Sequence, residues 1–191
     1  MLKKRHRIHH RICSASTLVS LALFQPEIPA NTGTLMRLSA CLNVPLHVIG
    51  PTGFSMDDRA LRRAGMDYRD KALTHVHVDF DAFCRANAWT APRLIVMTTK
   101  ASMTYTDFSF QKSDMIVMGR ETAGAPGWLH ERADARLIIP MAVGTRSLNM
   151  AVSASLVVGE ALRQTNDFPE TLSHTAAPET SGIGSPIKGS H

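Results

Sequence analysis

Short apolar runs along this chain alternate with stretches of helical periodicity, and that alternation is the first guide to its fold. Leu18 to Phe24 ("LVSLALF") reads as a buried strand. Thr32 to Leu42 follows as a helix, with Asn31 in the N-cap position. "LHVIG" (Leu46 to Gly50) predicts a second strand, "DDRALRRAG" (Asp57 to Gly65) a helix closed by glycine, and "HVHVD" (His75 to Asp79) a third strand. Asp81 to Asn87 reads as a helix. "RLIVMTT" (Arg93 to Thr99), "DMIVMG" (Asp114 to Gly119) and "ARLIIPM" (Ala135 to Met141) complete the strands. Leu148 to Gln164 forms a last helix that is apolar on nearly every side, whereas a surface helix would show a polar face. It therefore calls for cover on both flanks, from its own sheet and from a second subunit. Strands rich in Val, Ile and Leu between helices define an α/β class, a mostly parallel sheet with helices on both faces.

Composition refines the boundaries. At 191 residues the chain fits one domain, placed at 18–165, with tails at 1–17 and 166–191. The formal charge is +5, yet Lys3, Lys4, Arg5, Arg7 and Arg11 supply five positive charges in a segment with no acid. The sixteen basic residues that remain balance sixteen acidic ones, so the basic character belongs to an N-terminal arm and not to the globule. Such an arm is read as disordered and solvated, or as an electrostatic aid to binding RNA. "HTAAPETSGIGSPIKGSH" has little to bury and reads as a disordered tail. Cys13, Cys41 and Cys84 are odd in number and form no close pair, which argues against a disulfide framework or a zinc site and fits a reducing, cytoplasmic setting. No apolar run is long enough to span a bilayer, so no membrane is expected as a partner.

In an open α/β sheet ligands bind beyond the carboxyl ends of the strands. Three loops there stand out: "PEIPANTGTLMR" (Pro26 to Arg37), "MGRETAGAPG" (Met118 to Gly127) and "IPMAVGTRSLNMA" (Ile139 to Ala151). No G-x-G-x-x-G follows the first strand, which excludes the usual dinucleotide fingerprint. Gly119 and Gly124 have the glycine spacing of a phosphate-binding loop, but Ala125 and Pro126 stand where Lys and Ser or Thr are needed. A nucleophile elbow, an H-E-x-x-H and paired loop carboxylates are also missing.

The three loops resemble, in order and spacing, the "PEIPxNTGxxxR", "GxExxGxP" and "RSLNxA" motifs of the knotted SPOUT class of S-adenosylmethionine-dependent RNA methyltransferases. "GFSMDDRALRRAGMDY" (Gly53 to Tyr68) further resembles the segment of the small tRNA 2'-O-methyltransferases that act on the wobble nucleotide. The likeness covers Leu18 to Gln164. It implies a deep C-terminal trefoil knot, S-adenosyl-L-methionine as methyl donor without a metal, the tRNA anticodon stem-loop as substrate partner and a homodimer with the donor site near its interface. The reaction implied is 2'-O-methylation of a wobble cytidine or modified uridine. The same chemistry at another tRNA or rRNA site, and a non-catalytic knotted RNA-binding protein, are the alternatives.

By this resemblance Met97, Gly119, Ile139, Ser147 and Asn149 hold the donor. Glycines at 119 and 124 permit close backbone approach, and Met97, Ile139 and Met141 offer apolar walls; strand core and a plain turn are the other readings of these residues. Ser147 and Asn149 also read as helix caps. Arg37 and Asn31 are the implied catalytic residues, Arg37 facing the ribose and Asn31 fixing the loop that aims it or touching the substrate. A guanidinium stays protonated, so seating the 2'-hydroxyl suits Arg37 better than acting as a base. Glu121 is read first as a brace on the backbone amides of a neighbouring loop. Arg59, Arg62 and Arg63 are either a phosphate grip on RNA or a salt-bridged solvated helix face. The second loop departs from the family pattern "GPETRGLP": Arg120 replaces a proline, Ala123 an arginine and Ala125 a leucine.

Overall fold

A computed structural model of the chain describes residues 18–56, 59, 61, 73–88 and 92–170. Seven strands form one sheet: β1 (Ser20–Phe24), β2 (Leu46–Ile49), β3 (Thr74–His77), β4 (Leu94–Met97), β5 (Met103–Thr104), β6 (Met115–Met118) and β7 (Ala135–Ile138). Their order across the sheet is β3-β2-β1-β6-β4-β7-β5, and every pairing is parallel. The helices are α1 (Pro29–Leu42), α2 (Phe80–Asn87), α3 (Gly127–Arg132) and α4 (Met150–Thr165).

The strand alternation builds two cores. Leu21 and Leu23 of β1 stand level with Ile116 and Met118 of β6, and these residues pack with Leu35 and Met36 of α1 and Ala154, Val157, Val158 and Ala161 of α4. Ala22 and Phe24 belong to the opposite face, with Ile49, Val117, Phe80 and Phe83 of α2 and Leu129 of α3. The apolar runs are continuous because each inner strand is covered twice, so both side-chain sets need apolar partners. At the amino end of the sheet, Arg93 donates two hydrogen bonds to the buried Asp114 carboxylate, Nε at 2.8 Å and Nη2 at 2.7 Å, joining the entries to β4 and β6.

The expected strands are recovered, mostly with trimmed ends, while α1 starts three residues earlier than expected, α2 one residue earlier, and α4 spans Met150–Thr165 in place of Leu148 to Gln164. Two short elements went unforeseen: the two-residue edge strand β5 and the six-residue α3. Neither is long enough to show a period, although Pro126 before "GWLHER" suits a helix start. The helix expected at Asp57 to Gly65 lies outside the described residues except for Arg59 and Leu61, both helical, with Leu61 buried. Residues 1–17 and 171–191 lie outside them too.

One cap expectation is corrected. Helix α1 begins at Pro29, whose ring presets φ for a first helical position, and Ile28 occupies the cap without a side-chain bond. Asn31 thus sits inside the first turn, and its side chain is committed elsewhere. Asn149 does cap α4, its Oδ1 accepting from the N–H groups of Ala151 at 2.8 Å and Val152 at 3.3 Å.

Candidate active site

The carboxyl ends of β4, β6 and β7, together with the start of α1, open into one cavity of about 490 Å³. Its wall comes from all three loops singled out in the sequence. Gly119 to Ala125 turn back sharply after β6, with Arg120 and Gly124 exchanging backbone hydrogen bonds of 3.2 and 2.9 Å. Gly124 adopts φ +69°, which favours glycine. A Cβ built on Gly119 would lie 2.2 Å from the Ala125 nitrogen and 2.4 Å from the Gly124 carbonyl carbon, so no side chain fits there.

One chain of hydrogen bonds ties the loops together. Glu121 accepts at Oε2 from the Glu27 N–H at 2.8 Å, and at Oε1 from the Ile28 N–H at 3.3 Å and from Asn31 Nδ2 at 3.1 Å. Asn149 Nδ2 donates in turn to Asn31 Oδ1 at 2.9 Å. An ionised carboxylate can only accept, so it dictates the orientation of the Asn31 amide, which dictates that of Asn149 and leaves Asn149 Oδ1 facing the α4 amides. The Glu121 charge also sits where the α1 dipole favours an anion. A reciprocal clamp runs the other way: Glu27 accepts from the Thr122 N–H at 2.9 Å and from its hydroxyl at 2.8 Å. Those Thr122 bonds, backbone first, and the nearby Arg120 charge hold the Glu27 carboxyl below its usual range.

Asn31, Met97, Gly119, Ile139, Ser147 and Asn149 all line the cavity, so these sequence-derived positions converge on one place. Glu121 acts as the brace expected of it. Arg37 is exposed on α1 and is not part of the lining. Arg59 is exposed, while Arg62 and Arg63 lie outside the described residues. Sequence reasoning missed the Thr98–Lys100 turn after β4, His130 of α3 and Arg146, which also line the cavity. The position of "TTK" just past an apolar strand was the available signal for the first of these.

A second polar cluster sits away from the cavity. His47 of β2 and His77 of β3 are buried with Nδ1 and Nε2 3.0 Å apart, and His75 stacks on His47 with ring centroids 5.1 Å apart. Burial first, then the neighbouring His75 and His77, pushes the His47 pKa down to about 3; His77 is lowered by burial and then by His75. Because the unfolded chain binds a proton below about 6.5 that folded His47 refuses, stability falls as pH drops through the window from 6.5 towards 3. Between pH 7 and pH 5 this costs about 2 kcal/mol. Urea titrations at the two pH values should show that much less acid sensitivity in His47→Gln, and equal sensitivity would contradict the assignment.

A fully parallel α/β sheet with a glycine-walled cavity at its carboxyl edge, laced across three loops, is the arrangement in which open α/β proteins bind nucleotides and cofactors. Residues 18–159 match the model of the SpoU rRNA Methylase family, and the chain belongs to that family. A tRNA (cytidine(34)-2'-O)-methyltransferase from Beijerinckia indica subsp. indica is 50% identical over 152 residues, covering 80% of this chain and 95% of the relative. A solved structure described as giving insights into the 2-OH methylation of C/U34 on tRNA superposes with a TM-score of 0.73 at 35% identity, covering 78% of this chain and 97% of that one. A SpoU methyltransferase from Streptomyces viridochromogenes, in complex with the cofactor AdoMet, shares the fold, with a TM-score of 0.71 at 24% identity over 81% of this chain and 63% of its own.

Proposed function

We propose that this protein methylates the ribose 2'-hydroxyl of the tRNA wobble nucleotide, a cytidine or modified uridine, in the cytoplasm, using S-adenosyl-L-methionine. The observation that carries the reading is the joining of three motif loops around one cavity by the Asn149, Asn31 and Glu121 bonds. The names of the relatives supply the substrate.

The cavity suits the donor. Met97, Ile139 and Met141 give apolar contact for an adenine, Gly119 lets the backbone come within hydrogen-bonding range, and Ser147 and Asn149 offer polar groups at the turn into α4. When bound, S-adenosyl-L-methionine supplies a methyl group activated by a sulfonium. Asn31 and Glu121 keep the loops in register, and no metal is called upon, since an alkoxide attacking a sulfonium neutralises charge. Arg37, permanently cationic, grips the ribose oxygen or the adjacent phosphate and aligns the nucleophile. Arg59, Arg62 and Arg63 hold the anticodon stem-loop.

The working form is a homodimer. Val152 and Leu156 of α4 are 50% and 43% exposed, an apolar outer face of the kind a second copy covers. Since the cavity of one protomer does not include its own Arg37, pairing is the route by which Arg37 reaches a donor. The domain at 18–165 carries the deep trefoil knot of its class, flanked by the basic arm 1–17 and the tail 166–191.

Purified protein incubated with total tRNA and methyl-labelled donor should label one ribose, and nuclease digestion should place it at the wobble nucleotide. Label at another position would overturn the site assignment, and no label the enzymatic reading.

A further inference from the structure

Beside the cavity, on the α3 side of the sheet edge, an indole stands half out of the protein. Trp128 is 41% exposed, in a helix that begins two residues after the last cavity residue of the second loop. Its position is fixed from below. Phe24, at the carboxyl end of β1, meets it edge to face at 5.5 Å and 77°, and Phe80 at 4.9 Å and 69°. A residue serving only to close the Phe24 and Phe80 core would not need so large a ring with so much of it in water.

Two cations lie against this aromatic cluster. Arg132, one helical turn on, places Cζ 5.7 Å from the centroids of both Trp128 and Phe80. Arg120 donates to Gln25 Oε1 and lies 6.0 Å from the Phe24 centroid. The acids nearby are Glu27, bonded to Thr122 and within reach of the Arg120 charge, Asp81, which like Arg132 acts on Cys84, and the exposed Glu131. His130, between Trp128 and Arg132 in sequence, faces the cavity, so α3 borders both features.

A half-exposed aromatic with one arginine against it and a second on the adjoining Phe24 is an arrangement suited to an unpaired base and its phosphates. We propose that Trp128, Arg120 and Arg132 form a second RNA subsite, in which the indole packs against the base of a nucleotide neighbouring the methylated one while the arginines hold the flanking phosphates. This rests on the RNA methyltransferase reading above. It also accounts for an arginine at position 120, where the loop pattern has a proline.

The test uses the full-length protein and an anticodon stem-loop RNA. Trp128→Ala should raise the KM for RNA about tenfold, the size of one lost base stack, while kcat and calorimetric donor affinity stay within twofold of wild type. Trp128→Phe, which keeps the packing on Phe24 and Phe80, should recover most of that loss. Arg132→Gln should lower the salt slope of RNA binding by about one. In a Trp89→Phe background, where Trp128 is the sole tryptophan, RNA should quench the emission. Wild-type KM in Trp128→Ala, or no quenching while methyl transfer proceeds, overturns the subsite and leaves the enzyme assignment standing. Failure of the wild-type protein to methylate any RNA removes both.

Discussion

Replacing Arg37 by alanine is expected to slow methyl transfer by about two orders of magnitude while leaving donor affinity within a few-fold of wild type. The split follows from where Arg37 sits. It is exposed on α1, outside the cavity lining, so donor binding does not depend on it. Under the function proposed above, what is lost is a charge-assisted contact to the ribose, and misplacing a nucleophile by about 1 Å costs on the order of a hundredfold. Single-turnover rates with saturating RNA, set beside donor calorimetry, separate the two quantities. A normal rate would remove Arg37 from the reaction. Mixing Arg37→Ala subunits with Asn149→Ala subunits adds a further reading: partial recovery of activity in the hybrid dimers would mean that one subunit's arginine serves its partner's cavity.

The second large effect concerns backbone. Gly119→Ala puts a carbon 2.2 Å from the Ala125 nitrogen, and the obstacle is the main chain of the same hairpin, which cannot swing aside as a side chain could. The loop must move as a unit, carrying Glu121 away from Asn31. Donor affinity should fall at least tenfold, with a loss of a few kcal/mol in stability. Neighbouring glycines provide contrast. At Gly124 a Cβ meets nothing within 4 Å, and only its φ of +69° opposes alanine, at about 1 to 2 kcal/mol. At Gly127 neither obstacle is present, so Gly127→Ala should bind donor normally. Calorimetry on the three variants checks the ranking; equal affinities would show that the hairpin does not shape the cavity.

Much of this was legible in the sequence because the inner strands must be apolar on both faces, so "LALF", "LIVM" and "MIVM" announce themselves. The three loops were legible because the carboxyl edge of such a sheet is where ligands collect. Glu121 could be assigned as a brace because it is the lone acid of the second loop. Asn31 could not be placed correctly from local rules: as a good capping residue just ahead of an apolar stretch it reads as the start of the helix, yet its partners lie 90 and 118 residues further along the chain. The His47 and His77 pair was equally hidden, since "LHV" and "HVH" show ordinary strand alternation and their meeting depends on the β2–β3 register. Trp128 escaped notice because a six-residue helix carries no periodicity.

The position of β1 has a consequence at the ribosome. Its neighbours in the sheet are β2, twenty-odd residues downstream, and β6, which begins at Met115, so Ser20 to Phe24 emerge long before one of their two edges can be covered. During synthesis this wholly buried strand has one edge without its partner from Phe24 until Met115 is made. The nascent chain, more than the finished enzyme, is therefore where this architecture is open to aggregation and most in need of a chaperone.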